Sequence, residues 1–193
     1  MKPRLVLASR SPRRSELLSE AGYSFETISP ADDEVSHAWL TIGEVTVWNA
    51  ARKAVRVSQL VPDAVVLAAD TLVTIEGEVL GKPADIADAV RMLRRLSGRA
   101  HEVWTAACVR YAARGKTRTF REMSRVHFRT LDEEAIRGYL AKIEPLDKAG
   151  AYAAQGHGAE IIERIDGSYT NVVGLPMETT GAVLREFGIE PER

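Results

Sequence analysis

The sequence has 193 residues, with 26 lysines and arginines against 27 aspartates and glutamates, so its formal net charge is −1. A nearly neutral chain lacks the global positive potential that attracts nucleic acid, which disfavours a polynucleotide partner. No apolar stretch approaches the roughly 20 residues of a membrane-spanning helix, which excludes membrane insertion. The length suits one domain over residues 1–193. The lone Cys108 and the short apolar run before Ser9 predict a cytoplasmic protein without a disulfide or an export signal.

The first half of the chain alternates short apolar runs with segments of helical periodicity. Ser11 and Pro12 suit the N-cap and first position of a helix that Gly22 ends. In chain order, the elements predicted up to residue 98 are a strand over Arg4 to Ala8, the helix from Pro12, a strand over Phe25 to Ser29, a helix from Glu44 to Gln59, a buried strand over Ala64 to Ala69 ending at Asp70, a tight hairpin of Leu72 to Ile75 with Val79 and Leu80, and a helix with Ile86, Val90, Leu93 and Leu96 on one face.

The second half begins with a pattern typical of a long antiparallel hairpin. The predicted elements are the hairpin of Glu102 to Tyr111 with Thr117 to Arg129, a helix opened by a capping box at Thr130 to Glu133, a strand over Ala159 to Ile165, and a helix from Pro176 closed by Gly188. The segment from Pro145 to Gly158 has no assigned element. Interleaved helices and strands with one antiparallel hairpin predict an α/β protein with a mixed β-sheet flanked by helices. Two lobes with a cleft between them would suit the positions of its motifs.

A first group of candidate binding residues, Ser9, Ser11, Arg13 and Arg14, lies where the first strand leads into a helix. Free N–H groups and the helix dipole favour an anion at such a helix start, and arginines grip phosphate in bidentate fashion. A solvated turn with surface arginines explains the same segment equally well. The chain has no G-x-x-x-x-G-K-[ST] loop and no G-x-G-x-x-G after its first strand, so a nucleotide site here must use another design.

A second group combines Asp70 and Thr71, after the most apolar strand, with the acidic run from Asp32 to Glu34. Open α/β sheets place ligand-binding groups at strand ends, and carboxylates are the ligands that Mg²⁺ and Mn²⁺ prefer. The alternative interpretation is a turn-capping Asp70 and a solvated acidic loop.

Two lysines form a third group: Lys53 on a predicted helix and Lys82 in a glycine-proline turn. Taken singly, each is more simply a surface lysine. The four histidines show no H-x-x-x-H or Cys/His spacing, which argues against a zinc site. The sequence also lacks the G-x-S-x-G elbow that would suggest an acyl-transfer hydrolase.

Together these motifs resemble the Maf nucleotide pyrophosphatases. The blocks that carry the resemblance stand in family order over nearly the whole chain: Leu7 to Arg14, Ala50 to Ala54 around Lys53, Ala68 to Thr71, Gly81 to Pro83, Leu96 to Gly98, Asp147 to Tyr152 with Gln155 and Gly156, Gly167 to Tyr169, and Val173 to Pro176. The resemblance implies an ITPase-like α/β fold, a homodimer, and hydrolysis of the bond between the α- and β-phosphates of a nucleoside triphosphate with a divalent cation, Mg²⁺ or Mn²⁺.

The resemblance also implies roles for individual residues. Asp70 is the implied catalytic carboxylate, activating water or holding the metal, and Glu34 is the implied second metal ligand. The residues implied to bind the triphosphate are Ser9, Arg13, Arg14, Lys53 and Lys82.

Three positions resemble the branch that cleaves dTTP and UTP: Arg13 after the proline, Thr71 after the catalytic aspartate, and Gln155 in the late glycine loop. The branch acting on 7-methyl-GTP carries tryptophan, glutamine and glutamate there. A glutamine amide offers both a donor and an acceptor, so Gln155 could match the O/N–H edge of uracil or thymine. We therefore expect a dTTP/UTP pyrophosphatase, acting on ordinary or modified pyrimidine nucleotides in a house-cleaning role.

The alternative is a nucleotide-sensing regulatory protein that acts on septum formation, since the resemblance also implies a link to cell-division arrest. Binding of dTTP without release of pyrophosphate would favour that alternative. A nucleic-acid-binding module, the third possibility, would show strongly salt-dependent oligonucleotide affinity, which the near-neutral charge argues against.

Overall fold

The computed structural model describes residues 3–30 and 39–192. Its strands are β1 (Leu5–Ala8), β2 (Glu26–Thr27), β3 (Val65–Ile75), β4 (Glu78–Leu80), β5 (Ala100–Tyr111), β6 (Lys116–Phe128) and β7 (Ile162–Asp166). Its helices are α1 (Pro12–Glu20), α2 (Ile42–Leu60), α3 (Ile86–Leu96), α4 (Glu133–Leu140), α5 (Gly158–Ile161), α6 (Tyr169–Val173) and α7 (Met177–Glu186), with three short 3₁₀ turns at 112–114, 145–147 and 149–151.

Across the described residues the strands form one seven-stranded sheet in the order β2-β1-β3-β5-β6-β7, with β4 paired to β3. The pairs β1–β2 and β1–β3 are parallel, whereas β3–β4 and β6–β7 are antiparallel. The mixed α/β sheet predicted from the sequence is therefore confirmed. None of the helices in 3–30 and 39–192 combines the length and apolarity needed to cross a membrane.

The chain divides into two compact units. The first unit comprises Met1–Asp70, Thr105–Glu122 and Gly174–Arg193, and the second comprises Thr71–Trp104 and Met123–Val173. A single domain over residues 1–193 stays a prediction.

In the first unit, helix α2 covers one face of the sheet. A capping box starts this helix: the Thr41 side chain accepts from the backbone N–H of Glu44, and the Glu44 side chain accepts from the backbone N–H of Thr41. Alternate strand residues point to the same face, so β1 and β3 present small apolar side chains there. The resulting cluster contains Val6, Ala8, Ala50, Ala54, Val57, Ala64, Val66, Ala68, Ala106 and Cys108. Cys108 is fully buried, as expected of a core residue, and burial raises the pKa of its thiol to about 11.

In the second unit, helices α3 and α4 share a hydrophobic core with the adjoining strands. Asp85 and Asp132 cap the two helices, each accepting from a backbone N–H three residues on. Leu93, Ile136 and Tyr139 from the helices join Val73 and Ile75 from β3 in this core. The same core holds Phe128 and Tyr152.

The structure corrects four predicted elements. The strand that starts near Ala64 does not end at Asp70 but runs on to Ile75, because Val73–Ile75 pair with β4 across a turn in which Glu76 and Gly77 adopt left-handed backbone angles. Helix α4 is capped by Asp132 and not by Thr130. A helical turn occupies Gly158–Ile161, so the predicted strand from Ala159 starts at Ile162. Strand β2 is only Glu26–Thr27.

Candidate active site

Asp70 is held in a buried position within β3. The last parallel pair of β1 with β3 is Ala8 with Ala68, so Asp70 lies two residues beyond the point where β1 ends. It follows Val66 and Ala68 on the face that α2 covers, and the residue is 1% exposed. A carboxylate that is almost wholly buried needs hydrogen-bond donors from the protein.

Helix α2 supplies both donors. The Lys53 ammonium nitrogen Nζ lies 2.6 Å from Oδ1 of Asp70, and the Asn49 amide nitrogen Nδ2 lies 3.2 Å from Oδ2. Asn49 and Lys53 are four residues apart and therefore share one helix face, where Thr46 is also buried. The ion pair and the amide bond together fix the orientation of the carboxylate.

The turn from β1 into α1 is held together by its own side chains. The Ser9 hydroxyl oxygen accepts from the backbone N–H of Ser11 at 3.1 Å and from the Arg14 guanidinium at 3.3 Å. Arg14 also donates through Nε to the Gly174 carbonyl at 2.8 Å. Ser11 occupies the N-cap position without a side-chain cap bond, and Pro12 follows it as predicted.

Arg13, next to this turn, is partly buried. Within 3–30 and 39–192 it forms no hydrogen bond or ion pair, in contrast to Arg14. Arg14 thus secures the turn, while Arg13 presents its full set of five donors. The structure therefore brings Ser9 and Arg14 into one contact group in the first unit, and Lys53 and Asp70 into another.

The other predicted site residues belong to the second unit. Thr71 follows Asp70 in β3 and is partly buried, and Lys82 is exposed after β4. Gln155 is partly buried in a bend before Gly156, whose φ is 65°. Their roles stay predictions from the sequence.

Only part of the predicted metal site falls in the described chain. Glu34, with Asp32 and Asp33, lies outside the described residues. Within the described ranges, no three His, Cys, Asp or Glu side chains gather as a metal site. Asp70 is a hard oxygen ligand, but Lys53 already balances its charge. This donor set fits an ion such as Mg²⁺ that is held by one or two carboxylates and by phosphate oxygens of a bound substrate, rather than in an all-protein cage.

Sequence reasoning missed Asn49, which contacts the Asp70 carboxylate. It is a polar residue 3% exposed, one helical turn before Lys53 on a face otherwise rich in alanine and valine. That spacing was the available signal, since a polar residue on an apolar helix face needs a buried partner. The bond from Arg14 to Gly174, 160 residues away, had no comparable signal.

Comparison with known proteins gives a consistent result over nearly the whole chain. The family model described as Maf-like protein matches residues 4–187. A dTTP/UTP pyrophosphatase of Pelotomaculum thermopropionicum is 46% identical over 184 residues, covering 95% of this chain and 96% of that protein. The dTTP/UTP pyrophosphatase of Bdellovibrio bacteriovorus is 44% identical over 192 residues, covering 97% and 100%.

Solved structures show a similar fold at low sequence identity. A HAM1 protein from Coxiella burnetii matches with a TM-score of 0.52 at 15% identity, covering 95% of this chain and 99% of that chain. The Ham1 protein of Staphylococcus aureus matches with a TM-score of 0.51 at 15% identity, covering 95% and 98%. These matches support the ITPase-like fold predicted from the sequence.

Proposed function

This chain belongs to the family of Maf-like proteins, and on that premise we propose that it hydrolyses dTTP and UTP to the nucleoside monophosphate and pyrophosphate. The observation that carries the proposal is the buried Asp70 carboxylate, oriented by Lys53 and Asn49, in a chain whose full-length relatives are pyrophosphatases for these two nucleotides. A buried carboxylate with fixed donors is suited to general-base chemistry.

In the proposed reaction, a water oxygen attacks the α-phosphorus. A new P–O bond forms there while the bond from the α-phosphorus to the bridging oxygen breaks, and pyrophosphate leaves with that electron pair. Asp70 accepts the proton of the attacking water. Each of its oxygens accepts one bond from Asn49 or Lys53 and keeps acceptor capacity for the water. Fixed donors need no reorganisation as the reaction proceeds.

A divalent cation, Mg²⁺ or Mn²⁺, is part of the proposal. When bound, it would neutralise charge on the phosphate oxygens and lower the pKa of a coordinated water. Asp70 is its proposed protein ligand in the described chain, and Glu34 is the second ligand proposed from the sequence. Removal of divalent ions with a chelator is expected to abolish turnover, and activity that persisted in the chelator would contradict this role.

Cationic side chains of the first unit are proposed to bind the triphosphate. Arg13 offers a guanidinium that makes no other bond in the described chain, and Ser9 and Arg14 form the adjacent turn. Lys53, which donates to Asp70, is the proposed cation beside a phosphate oxygen. Lys82 is the proposed phosphate ligand from the second unit, where Gln155 is the proposed contact to the base and Thr71 the residue that adjusts the pocket shape.

Product analysis tests the proposed function. The purified chain is incubated with each common nucleoside triphosphate and with Mg²⁺ or Mn²⁺, and the products are separated. Monophosphate and pyrophosphate from dTTP and UTP support the proposal. Diphosphate and orthophosphate, or no turnover with any of the ions, contradict it.

Three further proposals follow from the resemblance and the composition. We propose a homodimer, which light scattering coupled to gel filtration would test, and a monomer at micromolar concentration would contradict it.

We propose a cytoplasmic location, consistent with the single buried Cys108, and fractionation of cells tests it. We also propose that the chain binds no nucleic acid, so salt-dependent oligonucleotide affinity would contradict that statement.

A further inference from the structure

The segment Lys148–Gly158, here called the glycine segment, carries Gln155 on an irregular backbone. Two consecutive residues, Gly150 and Ala151, have φ values of 70° and 62°, and Gly156 has a φ of 65°. Ala151 is fully buried, and an alanine in the left-handed region is a strained conformation that surrounding contacts must maintain. The contacts around this segment therefore determine whether its backbone adopts a single conformation.

In one contact of this segment, a single hydroxyl satisfies both backbone polar groups of one residue. The Tyr139 hydroxyl of α4 accepts from the Ala153 N–H at 3.0 Å and lies 3.3 Å from the Ala153 carbonyl oxygen, to which it donates. Tyr139 is 1% exposed, so its hydroxyl makes these bonds from within the core. Burial raises the pKa of Tyr139, which keeps the phenol protonated and able to donate and accept at once.

Ala153 is also enclosed from the side of α5. A Cβ placed on Gly158 would lie 2.8 Å from the Ala153 carbonyl oxygen, closer than side chains normally approach a backbone atom. Glycine at position 158 therefore lets this carbonyl reach the Tyr139 hydroxyl. Ala153 is held on both sides, two residues before Gln155.

The start of the glycine segment is anchored separately. The Gly150 N–H donates to the Gly81 carbonyl at 3.0 Å, which ties the segment to the turn carrying Lys82. The Tyr152 hydroxyl lies 2.8 Å from Nε2 of His101, and Phe128 meets both rings edge to face with centroids 4.9 Å apart. These contacts hold residues 150–152, and the Tyr139 hydroxyl holds Ala153, the next residue on the way to Gln155.

We propose that Tyr139 is a positioning residue for base selection: its hydroxyl clamps both backbone polar groups of Ala153 and so holds Gln155 where its amide meets a pyrimidine base. This inference rests on the proposed function. The amide of a glutamine offers a donor and an acceptor that exchange places when it flips, so it could pair with cytosine as well as with uracil or thymine. Discrimination between these bases therefore requires that the segment carrying the Gln155 amide keeps a single position.

The test compares kcat and KM of the full chain for dTTP and dCTP in Tyr139→Phe. The variant keeps the buried ring and removes the hydroxyl, leaving the Ala153 N–H and carbonyl without their partner. We expect the preference for dTTP over dCTP to fall about tenfold, mainly through a higher KM for dTTP, with kcat for dTTP within about twofold, because two hydrogen bonds of ordinary net strength are lost. A purely structural role would not change the ratio between two substrates.

Tyr111→Phe is the matched control, since Tyr111 ends β5 and its ring lies under the Arg114 guanidinium, a contact that needs no hydroxyl. Its kinetic constants are expected to match those of the unsubstituted chain. Gly158→Ala is a second, independent variant that displaces the Ala153 carbonyl, and it should lower the same preference even if Tyr139→Phe folds poorly.

The results separate this inference from the proposed function. If Gln155→Ala lowers the preference while Tyr139→Phe and Gly158→Ala keep it, the positioning role is overturned and the pyrophosphatase assignment stands. If Gln155→Ala also keeps the preference, the positioning role is overturned because Gln155 does not select the base. If the unsubstituted chain releases no pyrophosphate from dTTP, the proposed function fails and this inference fails with it.

Discussion

The two regions that carry the proposed site residues are built in opposite ways. Around Asp70, a regular strand and a regular helix present a charged group, and a charged partner, Lys53, holds it. In the glycine segment, irregular backbone presents Gln155, and a neutral hydroxyl holds the chain. Removing one partner of a buried ion pair leaves an uncompensated charge and costs a large free energy. Removing one partner of a neutral hydrogen bond costs less. Changes at the first region should therefore affect turnover and stability, and changes at the second should affect substrate preference.

The largest expected effect comes from removing the charge at the first region. Asp70→Asn keeps the shape of the side chain but cannot accept a proton from water, so kcat for dTTP should fall about 10³-fold. Binding of a non-hydrolysable dTTP analogue, measured by calorimetry, should largely persist. Asp63→Asn, at an exposed turn of the same unit, is the control that should leave kcat unchanged. Near-normal turnover of Asp70→Asn would remove Asp70 from the mechanism.

Removing the partner of Asp70 should lower stability as well as turnover. Lys53→Met leaves a carboxylate that is 1% exposed without its ammonium, and an unpaired buried charge costs about 3 kcal/mol in the free energy of unfolding. Urea denaturation measures that change. The double variant with Asp70→Asn should recover much of the loss, because no charge is then stranded. A loss in the double variant as large as the sum of the single losses would show that the pair does not act as a unit.

The second region is expected to make the free energy of unfolding depend on pH, through His101. Burial, with a smaller contribution from the charge of His127, lowers the pKa of His101 from 6.5 to about 4. The folded chain therefore resists protonation of this imidazole, so its stability is complete above pH 6.5 and declines as the pH falls toward 4. Between pH 7 and pH 5 we expect a loss of about 2 kcal/mol from this group.

His101→Gln should make that loss smaller, as measured by urea denaturation at pH 7 and pH 5. His157→Gln is the control, since His157 is exposed and pairs with Glu160. Equal pH dependence of the free energy of unfolding in the unsubstituted chain and in His101→Gln would mean that another group causes the decline.

The smallest expected effect sharpens the comparison within the first region. Asn49→Ala removes a neutral donor at 3.2 Å from Asp70 but leaves the ion pair at 2.6 Å. We expect kcat for dTTP to fall about tenfold with KM little changed, because one hydrogen bond to a charged group is lost. Steady-state measurement of kcat for Asn49→Ala and for Lys53→Met checks which substitution has the larger effect. If Asn49→Ala lowered kcat as much as Lys53→Met, orientation by the amide and not the ion pair would dominate.

Periodicity predicted most helices and strands to within a few residues, including α2, α3 and the β3–β4 hairpin. The errors fall where tertiary pairing overrides the local pattern. A polar Asp70 followed by Thr71 reads as a strand end, yet pairing with β4 continues the strand to Ile75. The short helix Gly158–Ile161 ends at a residue whose carbonyl accepts from the backbone N–H of Arg129, a contact distant in sequence.

Site residues could be proposed from the sequence where the residue type alone suggests the chemistry. Asp70, Lys53 and Ser9 were singled out from the sequence by residue type and motif, and the structure brings Lys53 and Asp70 into contact, while their roles stay predictions. Asn49 and Tyr139 were not singled out from the sequence as site residues, since each bonds to a buried partner that only the fold places beside it. A contact between distant segments leaves no periodic signal in a single sequence.

The central claim is that water attacks the α-phosphorus with Asp70 as its base. The most direct measurement is a single turnover of dTTP in water enriched in heavy oxygen, followed by mass spectrometry of both products. The mechanism predicts that the heavy oxygen appears in the monophosphate and that the pyrophosphate stays unlabelled. Label in the pyrophosphate, or release of a diphosphate, would contradict it.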